Sequence, residues 1–282
     1  MTSIADSDAY LSSERMLAQH QSALTILQGM VANPAISVIK WLDLASGRGQ
    51  IIAHLSKNLS DDERKKIHFL GYDVDNANTR DAARISQNLK LSKASFEIGD
   101  LSTFHEHSTT AGPWDFLTLT NTIHEISPSS LSKIIINCLT RLSDRGCLFI
   151  YDMESLPTPE LGAVLWTAPE VRSILTKIFI DFGCEKYRPA IGTWSHRTCD
   201  GWNAQIQRQH IDFPDGFLER AHDVMGATAN HIEELLKVKF HQVTGALESL
   251  TKFGSETGEE TQAKEKLLFD FWAISRALEG TR

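Results

Sequence analysis

A glycine-containing turn, Asp43-Leu-Ala-Ser-Gly-Arg-Gly49, lies between a predicted buried strand over residues 37–44 and a predicted helix. Glycines let the backbone turn tightly and approach a ligand closely, and a helix N-terminus offers unpaired N–H groups to an anionic group. In open α/β sheets, ligands bind at the carboxyl ends of the strands. We therefore expect Asp43, Ala45, Gly47 and Gly49 to line a binding site, although a plain turn could contain the same residues.

Two acidic segments follow the next predicted strands, which cover residues 67–72 and 94–98. A carboxylate at Asp73 could accept hydrogen bonds from both hydroxyls of a ribose. A carboxylate at Asp100 could accept a hydrogen bond from an adenine amino group, with Leu101 packed on the ring. Either aspartate could instead cap a helix or face solvent. Taken together, the three segments favour a ligand that contains a nucleoside.

Absent motifs narrow the choice of ligand. The sequence has no Gly-x-x-x-x-Gly-Lys-Ser/Thr motif, which argues against an ATP-type phosphate-binding loop. A dinucleotide fingerprint would place a third glycine where this chain has Ile52. Asp73 alone would also fit a nicotinamide cofactor, so a nicotinamide-dependent oxidoreductase stays open as an alternative.

The elements that must position these residues are strands and helices that alternate with short connections up to residue 152. This alternation predicts an α/β fold, a Rossmann-like doubly wound sheet. Beyond it, Cys184–Ile191 and Gly201–Ile211 are predicted to form a terminal antiparallel hairpin, joined by a loop of Trp, Ser and His residues. The hairpin would complete a seven-stranded sheet.

Three regions follow from this pattern. Residues 1–36 are expected to form an N-terminal helical segment with a helix cap near Ser12, and residues 37–212 the α/β domain. Residues 213–282 are expected to form a C-terminal helical extension, because apolar residues recur there at helical spacing. That extension could be a core face, a lid, a homodimer interface or a surface for a protein partner.

The three segments and their order resemble the class I S-adenosylmethionine-dependent methyltransferases. The first turn is similar to the glycine-rich first motif of that family, with Ala45 where the first glycine usually stands. Asp73 matches the ribose-binding acid, and Asp100 with Leu101 matches the adenine-contacting loop. The resemblance implies S-adenosyl-L-methionine as the cofactor. The predicted terminal hairpin also fits this family, and dinucleotide dehydrogenases usually lack it.

A closer likeness follows the fourth predicted strand. The segment Thr120-Asn-Thr-Ile-His-Glu-Ile126 resembles the corresponding segment of small-molecule O-methyltransferases of plant and hydroxyindole type. That resemblance implies His124 as a general base and Asp152, or nearby Glu154, as the acid that orients it. An imidazole titrates in the range that proton removal from a hydroxyl needs. His124 could also be a wall of the pocket.

The same resemblance adds Asn121 to the expected cofactor-binding residues and implies an enzyme that methylates a hydroxyl of a small-molecule acceptor. Those O-methyltransferases also have an N-terminal winged-helix dimerisation domain, for which residues 1–36 are too short. A non-catalytic sensor or scaffold that binds the cofactor and engages a protein partner through the helical extension is the alternative.

Composition limits the other partners. The net charge of −8 and the lack of a dense Lys/Arg run argue against nucleic acid. No apolar run approaches the roughly 20 residues that span a bilayer, and no signal peptide is recognisable, so we expect a cytoplasmic protein. No metal site is expected, because His105 and His107 lack an evident third ligand nearby.

Overall fold

A computed structural model describes residues 18–156, 158–196, 199–253 and 257–280. The strands are β1 (Ile39–Leu44), β2 (Ile67–Asp73), β3 (Lys93–Ile98), β4 (Trp114–Thr120), β5 (Leu142–Met153), β6 (Ala190–His196) and β7 (Cys199–Gln207). The helices are α1 (Ala18–Ala32), α2 (Gln50–Ala53), α3 (Leu55–Asn58), α4 (Asp61–Arg64), α5 (Asn76–Ser86), α6 (Pro128–Thr140), α7 (Ala168–Asp181), α8 (Ala221–Phe253) and α9 (Gly258–Glu279).

Within the described residues the strands form a seven-stranded sheet in the order β3-β2-β1-β4-β5-β7-β6. Strands β1 to β5 pair in parallel, and the strand order reverses beside β1, which makes the sheet doubly wound. Strands β6 and β7 form the terminal hairpin. The predicted fold class is thus confirmed: a Rossmann-like α/β sheet with a terminal antiparallel hairpin and C-terminal helices.

The central strands are nearly continuous apolar runs, as expected where helices cover both faces of a parallel sheet. Trp41 of β1 packs edge-on against Phe69 of β2 and also contacts Phe116 of β4, with ring centroids 4.9 and 5.4 Å apart. This aromatic cluster is buried and holds the strands in a register that sets Asp43 opposite both Gly71 and Thr118. The carboxyl ends of β1, β2 and β4 therefore lie at one edge.

The structure corrects the predicted hairpin and extends the fifth strand. The residues expected in the hairpin loop, Trp194 to His196, are the end of strand β6, and that strand begins only at Ala190. Strand β5 begins at Leu142, before the predicted start at Gly146, because a register irregularity near Trp114 of β4 lets polar residues join the strand. The helix cap predicted near Ser12 lies outside the described residues.

The chain divides into two compact units. The first unit contains the described residues of Met1–Thr120, together with Asn137–Tyr151 and Gln205–His210. The second contains Asn121–Ile136 and the described residues of Asp152–Ala204 and Ile211–Arg282. None of the helices in the described ranges is both long and apolar enough to cross a membrane.

Within the second unit, the long helices α8 and α9 pack on each other, with the rings of Phe240 and Phe271 5.2 Å apart. Helix α8 is joined to the start of helix α7 by an ion pair between Lys239 and Glu170 at 2.9 Å. Glu170 is also the third residue of a capping box with Thr167. The helical extension is therefore tied to the helix that follows residues 154–166.

Candidate active site

The turn after β1 has a left-handed backbone at three of its positions. Ala45, Gly47 and Gly49 have φ angles of 53°, 53° and 79°, in the left-handed region. This region is open to glycine but costs other residues roughly 1–2 kcal/mol. A Cβ on Gly49 would lie 3.0 Å from the Cα and Cβ of Ala82, so α5 packs directly on the turn. The left-handed backbone at Ala45 is one that glycine would adopt with less strain.

Ser46, which the sequence reasoning did not single out, contributes a buried polar atom to this turn. Its side chain is buried, and its Oγ has no hydrogen-bond partner among the described residues. Buried polar atoms nearly always have partners, so an orphaned hydroxyl in a glycine turn fits a ligand that supplies one. The Ser46 backbone N–H donates to the Tyr72 carbonyl at 3.0 Å, which fixes the turn to the end of β2.

Asp73, at the end of β2, is a buried carboxylate that organises the loop around it. Its Oδ2 accepts a hydrogen bond from the Gly47 backbone N–H at 2.8 Å. Its Oδ1 accepts from the Asp75 backbone N–H at 2.9 Å and from the Asn78 amide at 3.2 Å. Since each carboxylate oxygen has two lone pairs, Oδ2 can still accept a hydrogen bond from a ligand hydroxyl.

Asp43 is almost completely buried within β1 and is held by the hydroxyl of Thr118. That hydroxyl donates to Asp43 Oδ1 at 2.5 Å and accepts from Trp41 Nε1 at 2.8 Å. Burial raises the pKa of Asp43 to about 7, although the Thr118 hydrogen bond opposes the shift; the Asp73 charge adds to it. Asp43 therefore links β1 to β4 beneath the turn, and its predicted cofactor-binding role stays a prediction.

Asp100 is exposed and caps the 3-10 turn Leu101–Glu106 by accepting from the Ser102 backbone N–H at 2.7 Å. Its backbone carbonyl accepts from the Tyr72 hydroxyl at 3.0 Å. This cap holds the loop after β3 against the end of β2, while Leu101 remains partly exposed. Both residues thus lie at the edge where β1 and β2 end, and the carboxylate has spare acceptor capacity.

Asn121 is the first residue of the second unit and directly follows β4. It has a left-handed backbone with φ of 52°, which asparagine tolerates better than most residues. Its side-chain Oδ1 is buried and has no hydrogen-bond partner within the described ranges. The predicted cofactor-binding role of Asn121 stays a prediction, and this orphaned atom is consistent with it.

His124 and Asp152, both in the second unit, form a buried pair with two hydrogen-bond contacts. Asp152 Oδ1 lies 2.6 Å from His124 Nδ1, and Asp152 Oδ2 accepts from the His124 backbone N–H at 2.9 Å. The side chains are 4% and 1% exposed, so water does not compete for these contacts. With Asp152 ionised, the Nδ1 proton points at the carboxylate and Nε2 is left as the acceptor.

Two more carboxylates face the other nitrogen of the same ring. Glu160 Oε2 lies 3.4 Å, and Glu125 Oε1 3.9 Å, from His124 Nε2. Burial alone would lower the pKa of His124, but the hydrogen bond and charge of Asp152, with the charges of both glutamates, outweigh burial and raise it. The result is an imidazole whose protonated form is stabilised, as a proton-accepting group requires.

Glu154, the alternative orienting acid, makes a different contact. Its Oε1 accepts from the backbone N–H of Ala168, at the first turn of α7. The partner of His124 is therefore Asp152, one methylene shorter than a glutamate yet within hydrogen-bonding distance.

The ring nitrogen of His124 and the two glutamates also place three ligand atoms within 4.8 Å of one another, a spacing that a divalent cation could bridge. Two of the three are exposed carboxylates, which commonly lie this close without an ion. The predicted loop histidines behave separately: His107 Nδ1 lies 3.4 Å from Glu97, and His105 Nε2 lies 3.4 Å from Glu106.

No protein-family model matches the sequence, and no curated protein matches it. Among solved structures, the chain is similar to the CurJ carbon methyltransferase (TM-score 0.50, 13% identity, 66% of this chain and 53% of that chain). It is also similar to magnesium protoporphyrin IX methyltransferase from Synechocystis PCC 6803, crystallised with bound SAM (TM-score 0.48, 15% identity, 72% of this chain and 90% of that chain).

A third similar structure is the 1,6-didemethyltoxoflavin-N1-methyltransferase from Burkholderia thailandensis (TM-score 0.47, 15% identity, 67% of this chain and 78% of that chain). The chain spans about half the length of CurJ. At these identities the likeness concerns the fold, and the chain has the fold of the class I methyltransferases.

Proposed function

We propose that this protein is an S-adenosyl-L-methionine-dependent methyltransferase that methylates a hydroxyl of a small molecule, with His124 as the general base. The observation that carries the proposal is the His124–Asp152 pair, in which a buried carboxylate holds one ring nitrogen and leaves the other as an acceptor. An imidazole held this way can remove a proton from a hydroxyl while it attacks.

The residues after β1, β2 and β3 fit the proposed cofactor. A nucleoside with an amino-acid tail needs a backbone that it can approach closely, and the left-handed turn at Gly47 and Gly49 provides one. It also needs polar partners, which the unpaired hydroxyl of Ser46 and the open lone pair of Asp73 provide. Asp100 and Leu101 would contact the adenine ring. When bound, the cofactor supplies an already activated methyl group.

The chain's own contribution is then to position the acceptor and to move one proton. His124 Nε2 accepts the hydroxyl proton, and Asp152 stabilises the resulting imidazolium through Nδ1. Burial of both side chains keeps water from competing for these hydrogen bonds.

The test is methyl transfer from labelled S-adenosyl-L-methionine to a panel of hydroxylated small molecules. His124→Ala is expected to lower kcat by about 10²- to 10⁴-fold with little change in cofactor affinity. His222→Ala, which removes an exposed histidine at the start of α8, is the matched control and should keep full activity. Undiminished transfer by His124→Ala would exclude the general-base role.

Binding of a partner through the helical extension is a second candidate, favoured by exposed apolar side chains. Val238 on α8 and Leu268 and Trp272 on α9 are 55%, 49% and 43% exposed, so these apolar side chains are available to a partner. Light scattering of the full chain over a range of concentrations would reveal a homodimer, and Leu268→Ser with Trp272→Ser should abolish it. If the protein is a monomer at every concentration, the homodimer is excluded as the role of the helical extension.

Thermal-shift measurements separate these proposals from an oxidoreductase. S-adenosyl-L-methionine is expected to raise the Tm and a nicotinamide dinucleotide is not, since ligands that bind the folded state stabilise it. The opposite ranking would favour the oxidoreductase.

A further inference from the structure

A strap, defined as residues 154–156 and 158–166, connects β5 to α7 and lies across His124. The Val164 backbone N–H donates to the His124 carbonyl at 2.9 Å. At its two ends, the Glu154 N–H donates to the Asp200 carbonyl at 2.8 Å, and the Trp166 carbonyl accepts from Trp202 Nε1 at 2.8 Å. These hydrogen bonds fix the strap beside His124, and the strap positions Glu160 near the ring of His124.

Glu160 is a half-exposed carboxylate at the acceptor nitrogen of His124. Its Oε2 lies 3.4 Å from Nε2. Within the described part of the chain, this is the one ion pair or hydrogen bond that its carboxylate makes. Glu160 can pair with the ring only while Nε2 carries a proton, so in the neutral, proton-accepting form of His124 its carboxylate has no donor among the described residues.

A hydroxyl that is to lose its proton to His124 must come within about 3 Å of Nε2. It then binds beside the Glu160 carboxylate and occupies Nε2, so the ring offers that carboxylate no donor. Covering a carboxylate without giving it a donor is costly, and the cost is removed when the bound molecule supplies one.

We propose that Glu160 recognises a positively charged hydrogen-bond donor, such as an ammonium group, that the acceptor carries beside the hydroxyl to be methylated. This inference rests on the proposed function, because it takes His124 Nε2 as the place where the hydroxyl binds. The acceptor class is a hydroxy compound with a neighbouring amine.

The positions of Nε2 and Glu160 set the distance between the hydroxyl and the cationic donor of the methyl acceptor. Because Nε2 and Oε2 are 3.4 Å apart and each hydrogen bond is about 2.8 Å long, the hydroxyl and the donor lie within a few ångströms of each other. Substituents on neighbouring carbon atoms span this distance.

The local charge favours a cation over a neutral or anionic group. Glu125 approaches the same nitrogen to 3.9 Å, and Asp152 lies behind the ring at 2.6 Å. Three carboxylates around one imidazole repel an acceptor that bears a carboxylate of its own, and charge-assisted hydrogen bonds are roughly twice as strong as neutral ones.

The experiment compares three ortho-substituted phenols that share one hydroxyl: 2-(aminomethyl)phenol, 2-(hydroxymethyl)phenol and 2-hydroxybenzoate. Their binding to the full chain saturated with S-adenosylhomocysteine is measured by calorimetry in the presence of EDTA. The ammonium compound is expected to bind at least about tenfold more tightly than the neutral one, and the anion most weakly.

Glu160→Gln keeps the shape of the side chain and removes its charge, so it should reduce the preference for the ammonium compound to less than about threefold. Glu185→Gln removes an exposed carboxylate that makes no contact with His124 in the described structure, and it should keep the preference. Thermal unfolding of each variant confirms that the variant is folded before its binding is compared.

Equal binding of the three phenols, no binding of any, or a preference that survives Glu160→Gln would overturn the proposal. A preference seen only without EDTA would also overturn it, because a metal ion would then hold the carboxylates. Failure of methyl transfer alongside a charge preference that Glu160→Gln abolishes would reject the proposed function and leave the recognition role standing. Transfer without any charge preference would do the reverse.

Discussion

Replacing Asp152 with asparagine is expected to change the protonation of His124 and not only its position. The Asp152 carboxylate, which is 1% exposed, accepts from the backbone N–H groups of His124 and Met153 and faces His124 Nδ1. An asparagine has only one acceptor oxygen. Its NH₂ group must take the place of Oδ2, where it faces the His124 backbone N–H, or of Oδ1, where it faces the Met153 N–H and the ring nitrogen. In the second case the ring proton moves to Nε2.

The magnitude follows from these contacts. A ring protonated on Nε2 cannot accept the substrate proton, so transfer should fall by about 10²- to 10⁴-fold. One unsatisfied buried donor would also cost about 1–3 kcal/mol of folding free energy. With the hydrogen bond and charge of Asp152 gone, burial becomes the dominant influence and lowers the pKa of His124 relative to the unmodified protein.

The pH dependence gives the sign of the effect. His124 acts as a base only when neutral, so activity of the unmodified protein should fall as the pH drops through a pKa above the ordinary 6.5. Because the folded pKa is raised, protonated His124 also stabilises the fold below pH 6.5, and this contribution is lost as the pH rises through the folded pKa. The residual activity of Asp152→Asn should fall at a lower pH than that of the unmodified protein.

The assay is kcat/KM against pH, together with nitrogen NMR of the histidine side chains to read the tautomer. Asp115→Asn is the matched control, since Asp115 is also a buried carboxylate, bonded to the Lys40 N–H at 3.0 Å and to Arg145 at 3.0 Å. It should lose stability and keep the pH profile of the unmodified protein. If the fall of kcat/KM at low pH occurs at the same pH in Asp152→Asn as in the unmodified protein, Asp152 does not raise the pKa of His124.

Three further predictions concern the turn and the strand beneath it. Ala45→Gly should stabilise the protein by about 0.5–1 kcal/mol in urea unfolding, because φ of 53° strains alanine; a loss of stability would contradict that assignment. Gly49→Ala should weaken cofactor binding at least about tenfold by calorimetry, since the Cβ would meet Ala82 at 3.0 Å, and unchanged binding would show that the turn adapts. Thr118→Val should lower the free energy of unfolding by about 2–4 kcal/mol, because it removes the hydroxyl that pairs with both Asp43 and Trp41. It should also raise the pKa of Asp43 further above about 7, so the loss should be larger at pH 8 than at pH 6.

The strand ends could be predicted from the sequence because they depend on local patterns. Continuous apolar runs such as the one around Trp41 indicate buried strands, and the carboxyl ends of parallel strands must meet at one edge. Asp73 and Asp100 were therefore placed correctly at that edge. Their hydrogen-bonding partners were not predictable, because which backbone N–H a carboxylate accepts from depends on the exact path of each loop.

The pairing of His124 with Asp152 was suggested by a family resemblance, and the structure brings the two side chains together. Ser46 was missed because an ordinary serine in a turn gives no sign that its hydroxyl will be buried without a partner. Glu160 was missed because the strap lies far along the chain from His124 and meets it only in the folded unit. The position of Trp194 in the hairpin was wrong because strand pairing overrode the polar, loop-like composition of that segment.

The hydrogen bond from the Gly47 N–H to Asp73 joins two parts of the candidate cofactor site through one carboxylate. Any substitution of Asp73 would release the glycine turn as well as remove the proposed contact with the cofactor. The affinity lost in such a variant would therefore exceed the worth of the direct contact, and the two contributions would not add. In thermodynamic terms, ordering of the empty turn and binding of the nucleoside are coupled equilibria with Asp73 as their shared member.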